Sequence, residues 1–74
     1  AITRRHIQMI FCRYRAGTLK AIMKGGWLAP DGYLLAEIEG LLRFDAATVH
    51  DELELEIDRN YGQTRIILWH KTNE

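Results

Sequence analysis

His6, Cys12, His50 and His70 are the side chains in this sequence whose donor atoms suit a soft or borderline metal ion. Structural zinc sites set such ligands in close pairs, a Cys-x-x-Cys or two histidines a turn apart. None of the four stands at that spacing. His50-Asp51-Glu52 offers an imidazole and two carboxylates in a row, but a solvated helix face accounts for them far better. Nucleophilic chemistry has less to work with. Cys12 lies among Ile10, Phe11 and Tyr14, where a buried thiol behaves as a small hydrophobe. No glycine-rich phosphate loop and no nucleophile elbow occurs. Glu37, Asp51 and Glu54 would share a proton if they met in a pocket, yet nothing in their spacing brings them together. The expectation is a protein that is no enzyme, holds no metal or cofactor and has no evident small-molecule substrate.

Binding through charge is the other chemistry these residues offer. The formal net charge is zero, from ten Lys plus Arg and ten Asp plus Glu, but the two signs are segregated along the chain. Residues 1–30 carry Arg4, Arg5, Arg13, Arg15, Lys20 and Lys24 with no acid, a balance of +6. Residues 31–60 carry nine acids against Arg43 and Arg59, a balance of −7. Asp51, Glu52, Glu54 and Glu56 crowd one end of that stretch. Loose pairing between two packed halves accounts for this, at about 0–1 kcal/mol per exposed pair. So does a charged partner on one face.

The elements that position these charges follow from apolar spacing. Ile7, Ile10, Phe11 and Tyr14 match a helical stripe, with Thr3 as its cap. After Ala16-Gly17, Thr18 is expected to cap a short second helix bearing Leu19, Ile22 and Met23, and Gly25-Gly26 to end it. Trp27 and Leu28 are expected to fold back onto the core. Ala29-Pro30-Asp31-Gly32 reads as a turn. From Tyr33 to Arg43, the residues Leu34, Leu35, Ile38, Leu41 and Leu42 predict the central helix, with Ile38, Leu41 and Leu42 at the centre of the fold. Asp45 caps a further helix from Ala46. Its end is open: Val49, Leu53 and Ile57 fit a helix, while Leu53, Leu55 and Ile57 fit a strand. We place helix to about Leu53 and strand from about Leu55. Asn60-Tyr61-Gly62-Gln63 supplies a turn, and Thr64 to His70 reads as the second strand of a β-hairpin.

The segment from Leu35 to Leu53 resembles the helix-turn-helix of winged-helix bacterial regulators. Ile38, Leu42, Phe44, Val49 and Leu53 occupy that family's apolar positions, and Thr48-Val49 stands where a Thr-Val pair is common. Gly40 would let the two helices approach. The hairpin from about Leu55 to His70 would be the wing. The resemblance implies an α+β fold, a small single domain spanning 1–74 with three to four helices followed by a C-terminal β-hairpin.

Such a scaffold implies a small regulatory or accessory protein that binds DNA or another nucleic acid. The acidic second helix is a poor reader of duplex DNA, which carries a negative charge every ~1.7 Å of axis. Phosphates are better met by Arg4, Arg5, Arg13, Arg15, Lys20 and Lys24, with Arg65 and Lys71 adding from the hairpin. Tyr14 and Trp27 could stack on bases, although a place in the core suits both better. The alternative is a protein–protein interaction module whose acidic helix, with Asp51, Glu52 and Glu54, docks on a basic partner and mimics nucleic acid. A homodimer is also expected. Along the last strand Ile66 and Leu68 point one way and Ile67 and Trp69 the other, so one apolar face needs a cover; we read it as Ile67 and Trp69, covered by the N-terminal helix or by a second copy, which docks face to face there or pairs through the exposed strand edges. The longest apolar runs have four residues, against the ~20 of a membrane-spanning helix. One cysteine points to a reducing, cytoplasmic setting.

Overall fold

Alternation, not helical periodicity, governs most of the regular structure in this chain. The computed structural model describes residues 7–15, 17–40 and 43–72. Among them are four strands, β1 (Met9–Arg13), β2 (Tyr33–Glu39), β3 (Leu53–Tyr61) and β4 (Thr64–Lys71), and one α-helix, α1 (Thr18–Lys24). A single 3-10 turn at Ala46–Thr48 completes the elements. The strands form one mixed sheet in the order β1-β2-β4-β3. β1 runs parallel to β2, and the other two pairings are antiparallel. A parallel pair cannot close through a tight turn and needs a long crossover, which α1 and the turn before β2 supply.

The winged-helix expectation is therefore corrected: the described residues hold one helix and a four-stranded sheet, with no helix-turn-helix. The predicted central helix is β2. Leu34, Ala36 and Ile38 are almost wholly buried, whereas Tyr33, Leu35 and Glu37 turn to the opposite face. Leu34 and Ile38, four apart, satisfy both a period of 3.6 and a period of two, while Leu35 fits only the helical stripe. Pairing with β1 and β4 on both edges decides between them, because sheet context overrides the helix preference of Ala36, Glu37 and Glu39. Leu41 and Leu42, which extend the helical stripe in the sequence, lie outside the described residues, as does Thr3. The first predicted helix is β1 in the same way, with Ile10 and Cys12 packed inward and Met9 and Phe11 outward.

Asp45 caps as expected, but the helix it starts lasts one turn. Its Oδ1 accepts from the Ala47 N–H at 3.0 Å, and the Thr48 hydroxyl donates to Oδ2 at 3.0 Å. The turn is then anchored from the core, where the Trp69 indole N–H donates to the Ala46 carbonyl at 2.7 Å. Beyond it the Glu52 N–H donates to His50 Nδ1 at 3.0 Å and the chain enters β3, so Leu53 begins a strand.

Three local readings hold. The short helix carrying Leu19, Ile22 and Met23 forms and ends at Gly25, although Thr18 is its first residue and not its cap: Gly17 holds that place, and the Thr18 hydroxyl accepts from the Arg15 N–H at 3.1 Å. In the Pro30 turn the Gly32 N–H donates to the Ala29 carbonyl at 3.0 Å, with Asp31 in the left-handed region at φ 67°. The hairpin closes through Gly62-Gln63, where Gly62 takes φ 63° as the first loop residue of a primed turn must. Gly40 meets this turn, and not a second helix. Its N–H donates to the Gln63 carbonyl at 2.7 Å, and a Cβ at Gly40 would stand 2.9 Å from that oxygen.

The core lies on one side of the sheet. Leu34, Ala36, Ile38, Ile67 and Trp69 from the sheet meet Leu19 of α1, Leu28, Ala46 and Leu53. Leu28 folds back onto this core as expected; Trp27 does not, and remains 71% exposed.

Candidate functional site

Strand register builds a second surface on the other side of the sheet, because residues paired across strands share a face. Pairing of Phe11 with Leu35, of Leu35 with Leu68 and of Leu68 with Ile57 makes one apolar row across all four strands. Phe11 is 59% exposed and Ile57 44%, with Leu35 and Leu68 half-buried between them. Among the described residues no element packs over this row. α1 and the 3-10 turn both lie on the core side, through Leu19 and Ala46.

Rows of a different character flank it. On one side run Met9, Tyr33, His70 and Glu54. Tyr33 stacks on the His70 ring with centroids 4.6 Å apart, and His70 Nε2 lies 2.7 Å from Asp31 Oδ1. A register shift between Leu55 and Ile57 brings Glu56 to the same corner. The ligand atoms of Glu54, Glu56 and His70 then lie within 4.8 Å of one another. Two carboxylates and an imidazole could hold a divalent cation, but both glutamates are exposed and the imidazole is already engaged by Asp31. On the other side run Arg13, Glu37, Ile66 and Arg59, with Arg13 and Glu37 3.6 Å apart.

The register thus assembles what spacing alone does not. Glu54, Glu56 and His70 come from two strands, and no sequence interval among them marks a site. Phe11 and Ile57 read in the sequence as parts of a helix and of an ambiguous segment. The available signal is the lack of polar alternation in Met9–Arg13 and again in Ile66–Trp69.

The residues expected to bind nucleic acid do not form one surface. Arg4 and Arg5 lie outside the described residues, as does His6. Arg13 sits on the open face, whereas Lys20 and Lys24 belong to α1 on the core side. Arg15 is exposed just beyond β1. Arg65 and Lys71 are structural. Arg65 Nε donates to Asp58 Oδ1 at 2.7 Å and its Nη1 to the Phe44 carbonyl at 2.8 Å. The hydrogen bond from Arg65 holds the Asp58 carboxyl below its ordinary range; it outweighs the opposing desolvation, and the Arg65 charge adds a smaller push. Lys71 Nζ donates to the Leu28 carbonyl at 2.9 Å and lies 3.7 Å from Glu52. Tyr14 is half-buried against Phe44, with ring centroids 4.7 Å apart.

The expected partner-binding residues are also redistributed. Ile67 and Trp69 are fully buried in the core, so the apolar face left uncovered is that of Ile66 and Leu68. The acidic helix is absent: Asp51 and Glu52 lie in a turn, and Glu54 on β3. No protein-family model matches this sequence, and no curated protein matches it. Among the described residues no helix is long and apolar enough to cross a membrane.

Proposed function

We propose that this chain is a protein-binding module that engages its partner through the open face of the sheet. The observation that carries the reading is the Phe11–Leu35–Leu68–Ile57 row, apolar from one edge of the sheet to the other. Fully burying one such side chain is worth about 1.5–3 kcal/mol. Four in a line, rimmed by charged and polar groups, match the apolar centre and polar rim of a protein interface. Charge supports a protein partner over a nucleic acid. The face carries Glu37, Glu39, Glu54 and Glu56 against Arg13 and Arg59, and Arg13 is already beside Glu37. A phosphate backbone would meet a net negative surface. We read the module as cytoplasmic, a setting in which the lone Cys12 remains a thiol.

A photo-reactive amino acid placed at Phe11, at Ile57 or at Lys20 on α1 tests this in cells. Protein adducts from Phe11 and Ile57, with none from Lys20, are the expected result. Adducts to nucleic acid, adducts from Lys20 alone, or no adduct at any position would each overturn it.

A further inference from the structure

The charges that flank the apolar row do more than discourage nucleic acid; they select an orientation. We propose that the occupant of this face is a second copy of the chain, packed face to face with its two-fold axis running across the strands, along the Phe11–Leu35–Leu68–Ile57 row. The inference rests on the open face being a protein-binding surface.

Strand register and symmetry together dictate the contacts. Two facing sheets pack about 10 Å apart with their strands within ~30° of alignment. A two-fold axis along the apolar row sets Phe11, Leu35, Leu68 and Ile57 each against its own counterpart. It also exchanges the two flanking rows, so each residue on one side meets the residue of the same strand on the other side. On β3, Glu54 and Glu56 of one copy then face Arg59 of the other, and the symmetry makes this contact twice. On β2, Tyr33 faces Glu37, giving the phenol a carboxylate acceptor. On β4, His70 faces Ile66, and on β1 the Met9 side chain lies along the aliphatic stem of Arg13.

No other two-fold arrangement does as well. An axis along the strands sets Arg13 against Arg59. An axis along one diagonal sets Arg13 on Arg13 and Glu54 on Glu54, and along the other diagonal Arg59 on Arg59. Like charges directly opposed in an interface cost affinity and exclude that pose. In the favoured pose the one close approach of like charge is Glu39 toward the Asp31 turn, at the exposed rim where salt screens it most.

Size sets the strength. Four strands at ~4.8 Å spacing and about seven residues at ~3.3 Å rise give a footprint of roughly 400 Å² per copy before side-chain relief. That is below the ~800 Å² per partner of a standard interface. The dimer is accordingly reversible, forming at micromolar concentration and above.

Sedimentation equilibrium on the full chain across that range gives the first readout, and charge exchange gives the decisive one. Arg59→Glu alone should set a new carboxylate against Glu54 and Glu56, weakening the dimer at least about tenfold. Glu54→Lys with Glu56→Lys should weaken it similarly by opposing Arg59. Mixed together, the two weakened chains should pair with each other, because one of the two β3 contacts in the mixed dimer sets the introduced carboxylate against both introduced lysines and the other keeps the native pairing of Glu54 and Glu56 with Arg59; native mass spectrometry distinguishes this heterodimer. Near-UV circular dichroism of Trp69 confirms that each variant is folded. Wild-type chain that stays monomeric at hundreds of micromolar, or variants that fail to complement, would overturn the dimer. If the photo-reactive Phe11 or Ile57 variant still captures a different protein, the binding face stands and only its occupant is wrong.

Discussion

Ile67 and Ile66 are neighbours on β4 with the same side chain and opposite circumstances. Ile67 points with Trp69 into a core closed by Leu19, Leu28, Ala46 and Leu53 and is inaccessible to water. Ile66 points with Leu68 to a face that no described element covers. The closed face is the one that a crossover helix and a capped turn reach; among the described residues the open face has only its own rows of neighbours. Equal hydrophobicity on the two sides of a strand therefore does not mean equal roles. One side holds the fold together, and the other is available to hold something else.

The largest expected effects break the closed face. Trp69→Ala should cost about 3–5 kcal/mol and Ile38→Ala about 2–5 kcal/mol, the range for emptying a well-packed core position. Small domains have total stabilities near ~5 kcal/mol, so either variant should be mostly unfolded in a urea titration. Leu68→Ser on the open face, where the side chain is half-buried between Leu35 and Ile57, should instead cost only about 1 kcal/mol in the same titration. Similar losses for Leu68→Ser and Ile38→Ala would erase the distinction between the two faces.

The contact that joins β2 to the hairpin comes next. Gly40→Val puts a branched side chain against the Gln63 carbonyl and should cost about 1–3 kcal/mol through overpacking. Gly62→Ala, strained by its positive φ, should cost about 1–2 kcal/mol. Thermal melts of the two variants, and of both together, test whether the losses combine as coupled neighbours do.

The smallest effect sharpens the comparison at the rim of the closed face. Asp58 has a depressed carboxyl when folded, so its pair with Arg65 contributes stability above the ordinary carboxylate value of about 3.9. That contribution fades as pH falls below about 4, toward the lower folded value. Asp58→Asn should flatten the acid limb of a stability–pH profile and leave its slope near neutrality unchanged.

The parts of this architecture that are legible in the sequence are those written in turn chemistry. Pro30 fixes its own φ, and Gly26 and Gly62 accept the positive φ that a helix end and a tight hairpin turn need, so the turns, the helix end and the hairpin they imply are present. Ile38 reads as central and is 1% exposed, although on a strand. β1 and β2 are illegible for a common reason. Both bear apolar residues on two faces, so Ile10-Phe11 and Leu34-Leu35 imitate a helical stripe and hide the alternation beneath. The open face is hidden with them, since a row that crosses four strands has no period along the chain. Which apolar side of β4 lies inside is likewise undecidable from its own residues, because the answer depends on where α1 and Ala46 arrive.

β1 is joined to the sheet along one edge and by five residues, while β2, β4 and β3 are held together by two longer antiparallel ladders. The domain should consequently open in stages, with β1 leaving first at a free-energy cost well below that of global unfolding. Amide hydrogens of Ile10 and Cys12 should exchange with deuterium sooner than those of Leu68 and Trp69. The same excursion should bare Cys12, whose burial pushes its thiol up from the ordinary value and slows its reaction with alkylating agents. A trace of iodoacetamide would then time the departure of one strand from an otherwise intact sheet.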